Sequence, residues 1–481
     1  MTCVRTTSVL ARIGVGAALV ISAQLATVAA AAAQAPDVAA LSDKVLAAWS
    51  SPDGPGCAVG IDRAGQPRFT RAYGSADLEF GVPNRPETIF EGGSISKQFT
   101  AAATMLLVLD GKLRLDDDVR KYVPELPQYE RTITIRHLLN HTSGLRDWGE
   151  IVDLEGWPRT TRAYTMQDVL AAIVRQRALN YPPGDRYAYT NSGYNLLAII
   201  VERVSGTSFP AFTKARIFQP LGMTSTQWRD DFTRIVKGRA QAYSKGSDGW
   251  RLDMPFEKLY GNSSLLTTVS DLLTWTAMLE APPPSWRALA DSVQVRGILT
   301  NGDTSVYAAG LVLSRYRGVP TVEHNGATAG YRTNLVRYPG KGLAIAILCN
   351  VGDVDPRAMS RTLTDGLLAS ALAPVPAPAP ARPRPAPTWA PTSADLAAFT
   401  GTYYSPDVLS TLVLSVEGNA LVLSRAPATR IVLKPTTDAH FAGFGTGPSD
   451  DIWFTRGADG RVNALHVRTV RAFDVIYDRQ R

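Results

Sequence analysis

The segment 91-EGGSISKQFTAA-102 places a serine hydroxyl and a lysine amine three residues apart, at Ser94 and Lys97. A serine hydroxyl is a weak nucleophile until a base takes its proton. On a helix, residues three apart share one face, so the amine can lie beside the hydroxyl. The two glycines before Ser94 allow a tight entry into a helix, whose free N–H groups favour a developing negative charge. This pattern is typical of a serine nucleophile. A serine that caps a helix, followed by a lysine on the helix surface, would give the same sequence pattern.

Two further motifs supply polar groups that suit the same chemistry. The stretch 189-YTN-191 carries a phenol and an amide, and 324-HNG-326 carries an imidazole before a glycine. A second Tyr-x-Asn stands at 260-YGN-262, so that spacing alone does not choose between the copies. The chain offers no convincing Ser/His/Asp set, because the histidines of 133-ITIRHLLNHTSGL-145 fall at a helix start and a turn, where a structural role is expected.

In this order, Ser-x-x-Lys, Tyr-x-Asn and His-x-Gly resemble the motifs of the serine β-lactamase and penicillin-binding-protein superfamily. The flanking sequence is similar to the class C β-lactamase-like branch, which includes D,D-carboxypeptidases, D-aminopeptidases and esterases. The resemblance covers roughly residues 40–372. The matching stretches are 90-FEGGSISKQFTAA-102, 114-RLDDDVRKYVPELP-127, 134-TIRHLLNHTSGL-145, 181-YPPGDRYAYTNSGYNLL-197, 217-IFQPLGMTST-226 and 323-EHNGATAGY-331.

The resemblance implies the catalytic residues. Ser94 would attack a carbonyl carbon and form an acyl-enzyme, and Lys97 and Tyr189 would share the work of general base. Burial and nearby cations are expected to bring the proton-accepting form of both groups toward neutral pH. Which of them takes the serine proton stays open. The sequence around Tyr189 matches the family motif, which selects it over Tyr260, a pocket or structural residue.

The resemblance also implies the substrate-binding residues. Asn191 would hold Lys97 and a substrate carbonyl by hydrogen bonds. The backbone N–H groups of Ser94 and Ala327 would form an oxyanion hole. Gly326 and Gly330 would let a substrate lie against the strand edge. No metal and no organic cofactor is required.

His324 departs from the lysine that efficient class C β-lactamases usually carry at this position. A lysine holds a substrate carboxylate with a permanent charge, whereas histidine is mostly neutral at pH 7 unless its neighbours raise its pKa. The departure favours esterase or peptidase activity on small esters, amides or peptides. A β-lactamase or D-alanyl-D-alanine carboxypeptidase is the alternative within the class, and a non-catalytic binding or scaffold protein is the alternative outside it.

The order of strands and helices indicates an α+β fold. Hairpins are predicted at 56–74 and 330–350, and helical patterns lie between them at 94–110, 166–176, 193–204 and 269–279. We therefore expect an antiparallel sheet, flanked by helices, with an inserted helical subdomain. This domain is predicted to span 36–373.

A proline-rich stretch, 374–392, marks the boundary to a second domain. Eight prolines within residues 374–391 favour an extended spacer. Beyond it, residues 393–481 show about eight short strands with hairpins at 411–424 and 452–467, which predicts a small β-barrel or β-sandwich. That domain is expected either to bind cell-wall or lipid ligands or to reach over the active site and narrow substrate choice.

The N-terminal segment has the features of an export signal. An uncharged, alanine-rich segment over 13–33 follows two arginines, which predicts a signal peptide over 1–33 and a periplasmic or secreted protein with no membrane span after cleavage. The net charge is +7, and the basic residues are scattered along the chain. No cluster of basic residues is interleaved with aromatic residues, so nucleic-acid binding is not expected. The sequence does not indicate an oligomeric state.

The segment 146–164 holds two tryptophans, Trp148 and Trp157. They would line the pocket as part of a lid or fill the core of the helical subdomain.

Cys57 and Cys349 are the cysteines left after signal cleavage. The resemblance implies that the first strand runs beside the last, which would bring these two cysteines close enough for a disulfide if the geometry of their Cβ atoms suits.

Overall fold

The computed structural model describes residues 37–159, 161–375, 389–427, 429–437, 439–443 and 450–481. The predicted signal peptide and most of the predicted proline-rich linker lie outside these residues. Both therefore stay predictions, as do the domain boundaries drawn from them. Within the described ranges, no helix has both the length and the apolar character that crossing a bilayer would require.

The described helices have the following bounds: α1 Val38–Leu46, α2 Ser96–Leu109, α3 Ile135–Leu139, α4 Trp148–Glu155, α5 Met166–Val174, α6 Asn191–Ser205, α7 Phe209–Thr213, α8 Val269–Glu280, α9 Arg287–Val293, α10 Pro356–Leu367 and α11 Ser393–Ala397. The strands of the first domain are β1 Cys57–Arg63, β2 Phe69–Tyr73, β3 Ser75–Asp77, β4 Val82–Pro83, β5 Phe90–Glu91, β6 Gln227–Trp228, β7 Tyr243–Gly246, β8 Gly249–Leu252, β9 Leu265–Thr267, β10 Val312–Tyr316, β11 Val319–Thr328, β12 Tyr331–Tyr338 and β13 Leu343–Cys349. Those of the second are β14 Gly401–Ser405, β15 Ser410–Glu417, β16 Ala420–Arg425, β17 Thr429–Thr437, β18 His440–Ala442, β19 Asp451–Arg456, β20 Val462–Arg468 and β21 Val475–Arg479.

The central sheet joins both ends of the first domain. Its strands lie in the order β10-β11-β12-β13-β1-β2, and each neighbouring pair is antiparallel. The first and last strands of the domain pair with Cys57 opposite Cys349, and the two cysteines form a disulfide. The predicted α+β class, the helical insertion between two parts of one sheet and the proximity of the cysteines are confirmed.

Two helices form the buried centre of the first domain and carry the motif residues. Helix α2 is buried from Ser96 through Met105, and α6 is buried from Asn191 through Val201. The two helices pack against each other. The run Ala101–Ala103 lies wholly inside. A helix that is apolar around most of its circumference belongs in a core, so α2 holds Lys97 away from water.

The second domain is a closed barrel of the eight strands β14–β21. Along β15, Leu412 and Leu414 are buried while Thr411 and Val413 are exposed, which is the alternation of a strand with one face in a core. Closure pairs β14 with β21, so the sheet has no free edge. The barrel is therefore the correct choice between the two predicted β architectures.

The barrel is fixed to the first domain by charged and backbone contacts. Asp407 accepts hydrogen bonds from Arg146 at 3.1 Å and from Arg177 at 2.6 Å. Arg425, at the end of β16, donates to the carbonyl oxygens of Asp153 and Leu154 in α4. These contacts make the barrel part of one compact body over 37–481.

Candidate active site

Ser94 lies in a short 3₁₀ turn, Gly93–Ile95, that leads into α2. Gly93 has φ of 51°, and a Cβ on it would lie 2.6 Å from the backbone nitrogen of Ala327. A Cβ on Gly326 would collide with the carbonyl oxygen of Gly92 and the hydroxyl of Thr333. These glycines let the helix start touch strand β11, so Ser94 and Ala327 both line one cavity.

Lys97 has three polar neighbours that fix its amine. Its Nζ lies 3.1 Å from Ser94 Oγ, 2.9 Å from Asn191 Oδ1 and 2.8 Å from the carbonyl oxygen of Asn262. Nζ also lies 4.8 Å from the centre of the Tyr189 ring. The structure thus brings together Ser94, Lys97, Tyr189 and Asn191 from two separate stretches of the chain.

Burial drives the pKa values of the amine and the phenol in opposite directions. It lowers the pKa of Lys97 well below its usual value, and the positive charge of Arg471 lowers it further. Burial raises the pKa of Tyr189 above its usual value, and a hydrogen bond with Ser94 only partly opposes this. The amine is therefore suited to accept a proton, whereas the phenol keeps its own. The expectation that both groups would shift toward neutrality is wrong for Tyr189.

The start of α6 positions Asn191. Thr190 caps this helix, and the backbone N–H of Asn191 donates to Asp147 Oδ2 at 2.6 Å. The imidazole of His141 packs on Tyr189, with 4.3 Å between ring centres, and accepts a hydrogen bond from the Thr190 N–H at 3.3 Å. His141 thus has the structural role that the sequence suggested, as a support for the Tyr189 ring.

The second Tyr-x-Asn also contributes, but through its asparagine. The Tyr260 hydroxyl donates to Glu202 at 2.8 Å and its ring stacks on Phe209, which makes it a structural residue. Asn262 offers its carbonyl oxygen to Lys97, and its side chain accepts a hydrogen bond from Asn195 at 2.8 Å. Sequence reasoning missed Asn262, because the atom that matters is a backbone oxygen, which any residue could supply.

His324 is buried and neutral. Burial lowers the pKa of His324 to about 4. Its Nδ1 lies 2.6 Å from the carbonyl oxygen of Asn325, and its Nε2 lies 2.9 Å from the Tyr307 hydroxyl. A neutral imidazole donates from one nitrogen only, so Nδ1–H donates to the carbonyl and Nε2 accepts from the phenol. Both ring nitrogens are therefore occupied within the protein.

These residues surround a cavity of about 520 Å³. Ser94, Tyr189, Asn191, His324, Gly326 and Ala327, six of the predicted site residues, all line it. The seventh, Lys97, lies fully buried behind Ser94. Four lining cations were not predicted: Arg159 from the segment after α4, Arg332 from β12, Arg357 from α10 and Arg471 from the barrel. Arg159 and Arg471 stand near no recognisable motif, and only the packing of distant segments brings them to the cavity.

The surroundings of the site differ in part from those expected. Trp148 is fully buried in the core and Trp157 is 42% exposed, and neither lines the cavity, so the lid with a tryptophan wall is wrong and Arg159 of that segment lines the cavity instead. Gly330 faces the backbone of Tyr243, which leaves no room there for a substrate. The barrel reaches the active site, because Arg471 lines the cavity, while its predicted effect on substrate choice stays a prediction.

Comparison with known proteins gives the family of the chain. The profile of the Beta-lactamase family matches residues 41–370. A D-aminopeptidase of Cereibacter sphaeroides (strain KD131) is 29% identical over 322 residues, which cover 66% of this chain and 60% of that protein. Penicillin-binding protein 4* of Bacillus subtilis (strain 168) is 29% identical over 414 residues, covering 81% of this chain and 88% of that protein.

A solved structure extends the likeness to the barrel. The octameric penicillin-binding protein homologue from Pyrococcus abyssi superposes with a TM-score of 0.61 at 23% identity, covering 92% of this chain and 100% of that one. At this identity the likeness shows the shared fold. The profile of this family matches more than half of the chain, so the chain belongs to the beta-lactamase family.

Proposed function

We propose that the chain is an exported serine hydrolase that forms an acyl-enzyme on Ser94, with small esters, amides or peptides as substrates. The hydrogen bonding of Lys97 carries this proposal. Asn191 Oδ1 and the carbonyl oxygen of Asn262 are both acceptors, so they take two N–H bonds of the amine. A neutral amine then has its lone pair left for the hydroxyl of Ser94, 3.1 Å away.

The first chemical step follows from this arrangement. Lys97 takes the proton of Ser94 while Oγ bonds to the substrate carbonyl carbon, and the electrons of the C=O bond move to its oxygen. The N–H groups of Ser94 and Ala327 stabilise that oxyanion, a contribution of about 3 kcal/mol for one such donor in other hydrolases. Asn191 holds the amine in place through its side-chain oxygen.

The second step releases the leaving group. Tyr189 stays protonated, because burial raises its pKa, so its hydroxyl can donate to the departing alcohol or amine. The C–O or C–N bond breaks and the proton held by Lys97 restores the phenol. Water then attacks the acyl-enzyme by the reverse sequence, and the product acid leaves.

Several observations support the choice of substrates and the export. The D-aminopeptidase relative supports peptides and amides. The neutral His324 supplies no permanent charge for a β-lactam carboxylate, so β-lactamase or D-alanyl-D-alanine carboxypeptidase activity ranks second. The uncharged segment 13–33 supports export to the periplasm or medium. A scaffold that only binds ligands would not need a buried, proton-accepting amine beside a hydroxyl.

Active-site labelling tests the proposal. A fluorophosphonate and a labelled penicillin would be reacted with the full chain and the modified peptide identified by mass spectrometry. We expect label on Ser94, loss of that label in Ser94→Ala, and its retention in Ser270→Ala. Ser270 is a suitable control, because it is a serine in the first turn of helix α8 and lies outside the cavity.

Turnover then ranks the substrate classes. We expect Ser94→Ala to lower kcat by about 10⁴-fold or more with p-nitrophenyl butyrate or D-alanine amide. Nitrocefin would be hydrolysed more slowly than either. Turnover that survives in Ser94→Ala, or label on another residue, would contradict the proposal.

A further inference from the structure

Arginine dominates the charge of the cavity. The arginines that line it are Arg159, Arg332, Arg357 and Arg471. Arg159 binds both carboxylate oxygens of Glu257 at 2.5 and 2.7 Å, and Arg357 donates to Glu323 at 2.8 Å. Arg332 donates to two carbonyl oxygens of its own turn. Three of these side chains are therefore already engaged within the protein.

Arg471 differs from the other three. Its guanidinium lies 5.0 Å from the centre of the Tyr189 ring, and its nearest ion-pair contact, to Asp147 Oδ2, is 3.9 Å, too long for a hydrogen bond. Among the residues that the structure describes, no acceptor is hydrogen-bonded to this side chain, which is 37% exposed. Burial raises the pKa of Glu150, another neighbouring carboxyl group. A permanent cation with unused donors thus faces the cavity beside Tyr189.

The loop that carries Arg471 is held firmly. The Arg471 carbonyl oxygen accepts hydrogen bonds from the Asp147 N–H at 3.2 Å and from Asn180 Nδ2 at 3.0 Å. The Phe473 N–H donates to Asn180 Oδ1 at 2.7 Å. The backbone on both sides of the arginine is therefore fixed to the first domain. Fixing it in advance lowers the ordering cost when a ligand binds.

The acidic residues of the cavity offer no matching site for a cation. Glu323 is paired with Arg357 and Arg361, and Asp355 caps α10 by accepting two backbone N–H groups. A substrate with a free ammonium group therefore finds no unengaged carboxylate among these two lining residues. His324 is neutral with both nitrogens occupied, so it does not supply the positive charge either.

We propose that Arg471, supplied by the barrel, binds a carboxylate of the substrate, so that the preferred substrates are anionic esters, amides or peptides. This proposal rests on the proposed function and names a specificity residue for it. Arginine suits the task, because its planar fork of donors matches a carboxylate with two parallel hydrogen bonds. The barrel then determines specificity in a site whose reacting groups all come from the first domain.

Matched ester pairs that differ by one carboxylate test this. On the acyl side we would compare mono-p-nitrophenyl glutarate with p-nitrophenyl butyrate. On the leaving-group side we would compare 3-carboxyphenyl butyrate with phenyl butyrate. The variants are Arg471→Gln, Arg471→Lys and a control, Arg461→Gln, which removes one charge from an exposed position of the barrel outside the cavity. Each kcat/KM would be taken on the pH plateau of that variant.

In at least one pair, we expect Arg471→Gln to lower kcat/KM for the anionic ester about 10- to 100-fold, the range for a lost charged hydrogen bond. The neutral ester should change less than about threefold, Arg471→Lys should fall between, and Arg461→Gln should match the parent. The proposal would be overturned if neither pair showed a larger loss for its anionic ester, or if the parent chain turned over none of the esters.

Labelling of Ser94 distinguishes a failure of the Arg471 proposal from a failure of the proposed hydrolase function. At a pH on the plateau of each protein, a neutral fluorophosphonate should modify Ser94 in Arg471→Gln at close to the parent rate. Labelled Ser94 without a charge preference would refute only the role of Arg471. Unlabelled Ser94 in the parent chain would refute the hydrolase itself.

Discussion

Replacing Asp407 by asparagine should weaken the attachment of the barrel and so the stability of the whole chain. The Asp407 carboxylate bridges two arginines, Arg146 at 3.1 Å and Arg177 at 2.6 Å. The side chains of Asp407 and Arg146 are 8% and 2% exposed, whereas that of Arg177 is 63% exposed. The substitution keeps the shape of the side chain and removes its charge.

The magnitude follows from the difference between the two arginines. Burial lowers the pKa of Arg146, and Asp407 opposes this effect, so the carboxylate stabilises the charged guanidinium. Removing one member of a buried pair costs about 3–5 kcal/mol, because the other charge stays buried without a partner. Asparagine keeps one acceptor oxygen, which places the expected loss near the lower end, about 3 kcal/mol. Arg177→Ala breaks an exposed contact and should cost less than about 1 kcal/mol.

Urea unfolding, monitored by circular dichroism, would measure the loss in the free energy of unfolding for both variants. Activity on an anionic ester should fall in Asp407→Asn as well, because Arg146 also donates to the carbonyl oxygen of Asp474 at 2.8 Å and so helps hold the loop of Arg471. A loss below about 1 kcal/mol in Asp407→Asn, or an equal loss in Arg177→Ala, would refute the view that a buried ion pair secures the barrel.

Three further predictions concern the site and the sheet. On a neutral ester, kcat/KM should fall on the acid side of its pH profile as Lys97 becomes protonated. Arg471→Gln should move this acid limb to higher pH, because Arg471 lowers the pKa of Lys97. An acid limb that does not move would count against Lys97 as the base. Gly326→Ala should lower kcat at least tenfold by displacing the turn of the nucleophile, while Gly54→Ala, whose new Cβ meets nothing closer than 3.8 Å, should retain parental kinetics; equal kinetics in both would contradict this. Replacing both disulfide cysteines by alanine should lower the free energy of unfolding by about 2–5 kcal/mol in urea, and an unchanged midpoint would exclude a stabilising role.

The sequence was informative where local rules apply. Ser94 and Lys97 are three residues apart on one helical turn, so their proximity follows from helix geometry before any folding is known. The hairpins of the sheet and of the barrel followed from alternating apolar residues and turn residues, which report the burial of one strand face. The order of the motifs indicated the family, and with it the pairing of the first and last strands.

Other properties arose only when distant segments packed together. The base could not be chosen from the sequence, because the pKa of Lys97 depends on how completely the folded chain removes water from it and on an arginine from another domain. The same packing raised the pKa of Tyr189, contrary to expectation. Arg471 stands outside any motif, and contacts between the domains, among them the hydrogen bonds of its loop to Asp147 and Asn180, bring it to the cavity. Spacing along a helix thus determined which groups could react, and desolvation and charge in the folded chain decided which proton moves and what the cavity can bind.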